Sequence, residues 1–182
     1  LYYLGDSLFH LRNFRAATEW YEALARSGTP AQRQLALGRL IEIAVATRDE
    51  EAARSLLGRA ESLLESAPEA SLLYAVGKFH YRQGEHDAAR AAFAQVPVGH
   101  PIWFRARHHL GVVEVRARRL TEALAVFNEV VARADGAEGL EDDQQAAVDE
   151  ARLAVGRIYY ERGELDAAVS AFANGRRHAV DV

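Results

Sequence analysis

Five glycines recur along this chain in helix-patterned stretches: Gly5, Gly38, Gly77, Gly111 and Gly156. Each is followed 12 or 15 residues later by an alanine (Ala17, Ala53, Ala89, Ala123, Ala168), and four residues after that by a large side chain (Tyr21, Leu57, Phe93, Phe127, Phe172). Successive glycines are 33, 39, 34 and 45 residues apart, a base period of about 34. A period of that length describes a helix pair that cannot bury its own apolar face, so it folds only by stacking on its neighbours. Such arrays bind other chains far more often than they catalyse.

Each unit reads as two helices. Leu4, Leu8 and Leu11 mark one apolar stripe, Arg12-Asn13 breaks it, and Phe14, Ala17, Tyr21 and Leu24 mark the next. Gly28-Thr29-Pro30 stops that helix and starts another. Later turns fall at Thr47-Arg48-Asp49, Gln83-Gly84-Glu85, Arg118-Arg119 and Arg162-Gly163-Glu164, while Pro97 and Pro101 punctuate the end of the third unit. The second unit's first helix is expected to be about one turn longer than the others. Nothing reads as a strand over more than a few residues. The expected repeats are 1–28, 30–66, 69–98, 101–134 and 145–178, in a single array over 1–182 with an acidic insertion at 133–143.

The signature has a packing reason. Glycine on the first helix and alanine on the second let two antiparallel helices approach closely. The aromatic four residues later is expected to fill the gap to the next pair. Leucine at Gly77 or Gly111 should then overpack the contact, at roughly 1–3 kcal/mol.

Composition narrows the function. The net charge of −4 gives no basic excess to draw the chain to nucleic acid or anionic lipid. Apolar runs fall far short of the roughly 20 residues that a membrane span needs. Absence of cysteine removes disulfides, thiol catalysis and thiolate metal sites, and suits either redox compartment. Among 22 basic residues only Lys78 is lysine, which reads as the codon bias of a GC-rich genome. The chain opens at Leu1 on a helix already in register, with no Met, and is read as a piece of a longer protein.

Leu73, Val76-Gly77, Ala89, Phe93 and Pro101 stand at the spacing of the tetratricopeptide repeat family, which the chain resembles over nearly its whole length. Units three to five match most closely. The second has three extra residues near its turn and Leu57 in place of the aromatic, and an 11-residue excess separates units four and five. The resemblance implies an all-α, right-handed superhelical solenoid of antiparallel helix pairs, whose concave face is lined by first helices and holds a segment of a partner protein. It places Tyr2, Asp6, Phe9, Leu35, Arg39, Glu42, Tyr74, Lys78, Tyr81, Arg105, His108, Val112, Val115, Leu153, Arg157 and Tyr160 in the groove. That groove is richer in Tyr and cations than the acidic total suggests, so an acidic and apolar partner segment is expected. Reversing the charges of Arg39, Lys78 and Arg157 together is the corresponding test. The residue after each repeat glycine is never Asn, which argues against a chaperone-tail clamp. The Val96-Pro97…Pro101 boundary and the long first helices are loosely similar to repeat proteins of the bacterial cell envelope, with the cytoplasm as the other setting.

Catalytic and metal chemistry find little support in the spacing. His108 and His109 point about 100° apart on a helix, no His-Glu-x-x-His occurs, and there is neither a phosphate loop nor a Gly-x-Ser-x-Gly elbow. His80 and Glu114 read as a buried hydrogen-bonded pair on neighbouring first helices. The acidic run from Asp135 to Asp143 reads as a solvated insertion, with Asp142 or Asp143 capping the next helix. The expected function is a non-enzymatic scaffold or adaptor module without cofactor or metal. Two further readings stand beside it: a peptide-sensing regulatory domain, and a spacer or self-assembly element that uses its end faces.

Overall fold

A computed structural model describes residues 2–64, 68–137 and 139–180, with side chains described within 3–173 of those stretches. The described residues are all-α, with no strand among them. They form two compact units, Leu1–Val96 and Pro97–Val182.

The first unit holds α1 (Tyr2–His10), α2 (Phe14–Ser27), α3 (Pro30–Thr47), α4 (Glu50–Leu64), α5 (Ala70–Gln83) and α6 (His86–Ala94). Thr29 and Gln32 form a capping box that starts α3, with Pro30 at its first position. α3 is the centre of the unit, packed against α2, α4 and α5, and its residues from Ala36 to Val45 are nearly all buried. A helix enclosed on that many sides must be apolar around most of its girth. It carries Leu37, Leu40, Ile41 and Ile43 accordingly, and Gln34 is satisfied by accepting the Glu69 N–H at 2.7 Å.

The second unit holds α7 (Trp103–Arg116), α8 (Leu120–Asp135), α9 (Asp142–Glu161) and α10 (Leu165–Val180), with α7 on α8, and α9 on α7, α8 and α10. α3 is one turn longer than α5 and α7, as expected, but α9 is longer still at 20 residues. Helix enters the acidic segment from both sides, because α8 runs on to Asp135 and α9 begins at Asp142. The cap of α9 is Glu141, one residue earlier than expected. Its N–H donates to Gln144 Oε1 at 3.1 Å, leaving Asp142 and Asp143 in the first turn, where carboxylates face free amide groups.

The hairpin turns share one device. The residues Arg12, Arg48, Gly84, Arg118 and Gly163 all take φ between 58° and 77°. The next residue then donates its N–H back to a carbonyl five positions earlier, from Asn13 to Leu8, Asp49 to Ala44, Glu85 to His80, Arg119 to Glu114 and Glu164 to Tyr159, at 2.9–3.0 Å. This is the left-handed helix stop that glycine favours, and three of the five turns reach it with arginine.

The glycine signature works differently from the expectation. A Cβ at Gly77 would lie 2.6 Å from Phe93 Cε1, and one at Gly156 would lie 2.5 Å from Phe172 Cε1. Gly111 stands in the same relation to Phe127, and Gly5, less tightly, to Tyr21. The ring therefore seats on the glycine of its own hairpin instead of filling the gap to the next pair. A ring four residues past the alanine rises directly over that bare backbone. Leu57 is too short to reach. At Gly38 the notch is closed instead by the α5 backbone, with Ser71 O and Leu72 N at 3.2 and 3.3 Å from a would-be Cβ.

Candidate functional site

Counted from each repeat glycine, three positions on every first helix share one face: three before, one after and four after. In the first unit these are Tyr2, Asp6 and Phe9 on α1, Leu35, Arg39 and Glu42 on α3, and Tyr74, Lys78 and Tyr81 on α5. The side chain of Tyr2 lies outside the described residues.

These residues form a connected ladder. Arg39 Nη2 donates to Asp6 Oδ1 at 2.8 Å, and its Nη1 donates to Glu42 Oε2 at 2.9 Å. Lys78 Nζ donates to Glu42 Oε1 at 3.1 Å. The Arg39 guanidinium also lies 4.8 Å from the Phe9 ring centre, and the Lys78 ammonium 5.3 Å from that of Tyr74. Glu42 is buried. Burial pushes its pKa up, but the Lys78 and Arg39 charges and their hydrogen bonds outweigh that and hold it below the ordinary glutamate value. The ladder ties α1, α3 and α5 together through side chains.

The cations expected to recruit an acidic partner here already hold carboxylates of the chain itself. Tyr74 is buried against Phe93, with ring centres 5.8 Å apart, and offers almost no surface. Phe9, Leu35 and Tyr81 are half-buried. The charge reversal at Arg39 and Lys78 suggested by the sequence would surround buried Glu42 with acid, and would test folding before it tested binding.

In the second unit the same positions are His108, Val112 and Val115 on α7, and Leu153, Arg157 and Tyr160 on α9. Acid–base pairs again cross between first helices. Arg105 Nη1 lies 3.4 Å from Asp143 Oδ2, and His108 Nδ1 lies 3.4 Å from Glu150 Oε2. Burial lowers the His108 pKa against a weaker upward pull from Glu150. His109 turns away to the Arg105 carbonyl at 2.9 Å, so the adjacent histidines serve separate contacts. Val112 and Val115 are half-buried.

α9 differs from every other row. Leu153, Arg157 and Tyr160 are all exposed, and Arg157 has no ion-pair partner among the described residues. Its acids are engaged elsewhere: Asp149 with Arg152, and Glu150 with His108. Arg152 is buried and also donates to Asp135 at 2.9 Å, which pins the start of the acidic segment to α9. Sequence reasoning placed these side chains on one face but missed the ladder. Its signal in the sequence was opposite charges on the shared face of successive first helices, Asp6 with Arg39 at the same register and Glu42 with Lys78 one turn apart.

His80 and Glu114 each have a partner within their own hairpin. His80 Nδ1 lies 2.5 Å from Glu85 Oε2, and Arg119 Nε lies 2.5 Å from Glu114 Oε2. Each pair spans five residues across its own hairpin turn, following the backbone bond beneath it. Among the described residues no three His, Asp or Glu side chains converge as a metal site, and no helix is long and apolar enough to cross a membrane.

Comparison with known proteins agrees with this geometry. The tetratricopeptide repeat family profile matches residues 80–138. No curated protein matches the chain in sequence. The fold is similar to that of MamA, with a TM-score of 0.72 at 18% identity over 97% of this chain and 95% of that one. It is also similar to PilF of Pseudomonas aeruginosa, with a TM-score of 0.71 at 18% identity over 94% and 73%. The TPR-like repeats of a Podosopora anserina kinesin light chain give a TM-score of 0.68 at 16% identity over 96% and 90%. Residues 80–138 carry the tetratricopeptide-repeat signature, and the chain as a whole has a stacked helix-pair fold similar to that of these repeat structures.

Proposed function

We propose that this module binds a partner segment along the exposed face of α9, through Leu153, Arg157 and Tyr160, with the neighbouring Val112 and Val115 of α7 beside them. The coarse function, protein–protein interaction, comes with the repeat fold. The finer reading rests on one observation. At matched positions the α3 and α5 cations are ion-paired within the chain, whereas Arg157 stands exposed without a described partner, flanked by an exposed leucine and an exposed tyrosine.

Arginine and tyrosine bring large contact area with a polar tip, the combination that dominates interface energetics. The matching segment carries a carboxylate for Arg157 between apolar residues for Leu153 and Tyr160. A surface already formed before binding lowers the ordering cost of association. The reading is of a non-catalytic scaffold or adaptor in a larger bacterial assembly.

Crosslinking capture from the source cell, with this chain and its Arg157→Glu/Tyr160→Ala variant as baits, tests it. The expected result is a partner retained by the first and lost by the second, at unchanged helical content and melting temperature. Identical captures would end the reading.

A further inference from the structure

We propose that a cleft between α2 and α4 binds one molecule of a single-chain amphiphile, its hydrocarbon body lying over α3 and its carboxylate at Arg15. The cleft has a volume of about 460 Å³, within the range of sites that hold small molecules. It lies inside the first unit, between two consecutive hairpins, on the opposite side of α3 from Arg39 and Glu42. Both α2 and α4 pack on α3. Small side chains face each other across the space between them, Thr18 on α2 and Ala52 and Ser55 on α4, and leave it unfilled.

The lining selects a hydrocarbon. Leu40, Ile43 and Leu56 form the floor, with the half-buried Phe14 ring as a wall. The threonine hydroxyls are already committed to their own helices. Thr18 donates to the Phe14 carbonyl at 2.8 Å and Thr47 to the Ile43 carbonyl at 2.9 Å, so both turn methyl groups to the cleft. A peptide laid there would bring backbone N–H and C=O groups and find only the Ser55 hydroxyl without a described partner. Unpaired polar groups of that kind are costly to cover, whereas an alkyl chain has none.

Charge sets the orientation. From Phe14 to Glu22 the cleft runs about 12 Å along α2. Its far end is crossed by Arg59, which donates to both Glu22 oxygens at 2.8 and 3.2 Å, so these two charges neutralise each other and block a chain from running through. At the near end Asp49 accepts the Ala52 N–H at 3.0 Å as the cap of α4. Arg15, exposed at that same end, is the lining charge without a partner among the described residues. A ligand with one anionic head and a short apolar body meets all three conditions.

An amide-resolved NMR titration of the chain with sodium octanoate tests this. The expected result is a saturable shift of the signals of Thr18, Thr47 and Ser55, with one molecule bound per chain. Octanol, with the same body and no charge, should bind more weakly by up to about fivefold, the worth of an exposed ion pair. Arg15→Gln should bring octanoate down to the octanol level and leave octanol unchanged. Ala52→Phe fills the cleft and should abolish binding of both. Circular dichroism with thermal melting verifies its fold, and Ser55→Phe repeats the test should Ala52→Phe lower the melting point. Absence of a saturable shift, shifts confined to other surfaces, binding that survives a folded cleft-filling variant, or an Arg15→Gln chain with unchanged octanoate affinity would each overturn the proposal. Tighter binding in the cleft by an end-blocked apolar hexapeptide with one aspartate would assign it to a protein segment and overturn it as well.

Discussion

Glu42 shows how one side chain can fix the meaning of its neighbours. Its burial between Arg39 and Lys78 turns two candidate partner-binding cations into internal supports. Glu42→Gln keeps the shape and removes the charge, and should cost about 1.5–3 kcal/mol in urea denaturation. Because its folded pKa lies below the ordinary value of 4.5, Glu42 contributes stability above that pH and loses it as pH falls through the folded value. The acid limb of a stability–pH profile should therefore be shallower in the variant. At Gly111 the Phe127 ring occupies the space a side chain would need. Leucine there should cost roughly 1–3 kcal/mol, and shortening Phe127 to Leu in the same chain should recover part of it. The identity of both residues was legible in the sequence. Which hairpin the ring seats in was not, because a spacing gives the face of a helix but not the depth of its neighbour.

At the scale of the element, the turns carry the most direct prediction. Arg118 holds φ at 62°, a conformation that costs a non-glycine residue roughly 1–2 kcal/mol. Arg118→Gly should raise stability by about 0.5–1 kcal/mol after the extra chain entropy of glycine is subtracted, read as a higher denaturation midpoint. All five turn positions could be read from the break in apolar period. That three of them stop the helix with arginine in the left-handed region was not legible, since arginine carries no propensity for it. The α7–α9 contact carries a pH dependence of its own. His108 has a folded pKa below 6.5, so its contribution is complete above that pH and is lost as pH falls toward the folded value. Unfolding free energy should decrease on acidification below about 6.5, and the slope should flatten in His108→Gln.

At the scale of the molecule, stacking without long-range closure makes stability local. A continuous core cluster, from Ala17 through Ala92, lies wholly within the first unit. A fragment spanning residues 1–96 should fold alone, with a helical spectrum and a cooperative melt. A spectrum of unfolded chain would show that the unit depends on the other half.

The sequence by itself determined the class of fold, the positions of the hairpin turns and the register of the shared face. Those follow from local rules: a period of 3.6 residues along each helix and a period near 34 along the chain. Tertiary structure alone decided which charges remain available. Arg39, Lys78 and Arg157 occupy the same repeat position and are indistinguishable on paper. The first two lie beside carboxylates of neighbouring helices at 2.8–3.1 Å, and the third has no such neighbour among the described residues. Ion pairing depends on distance in space, and residues 33 and 36 positions apart meet only after the helices have stacked.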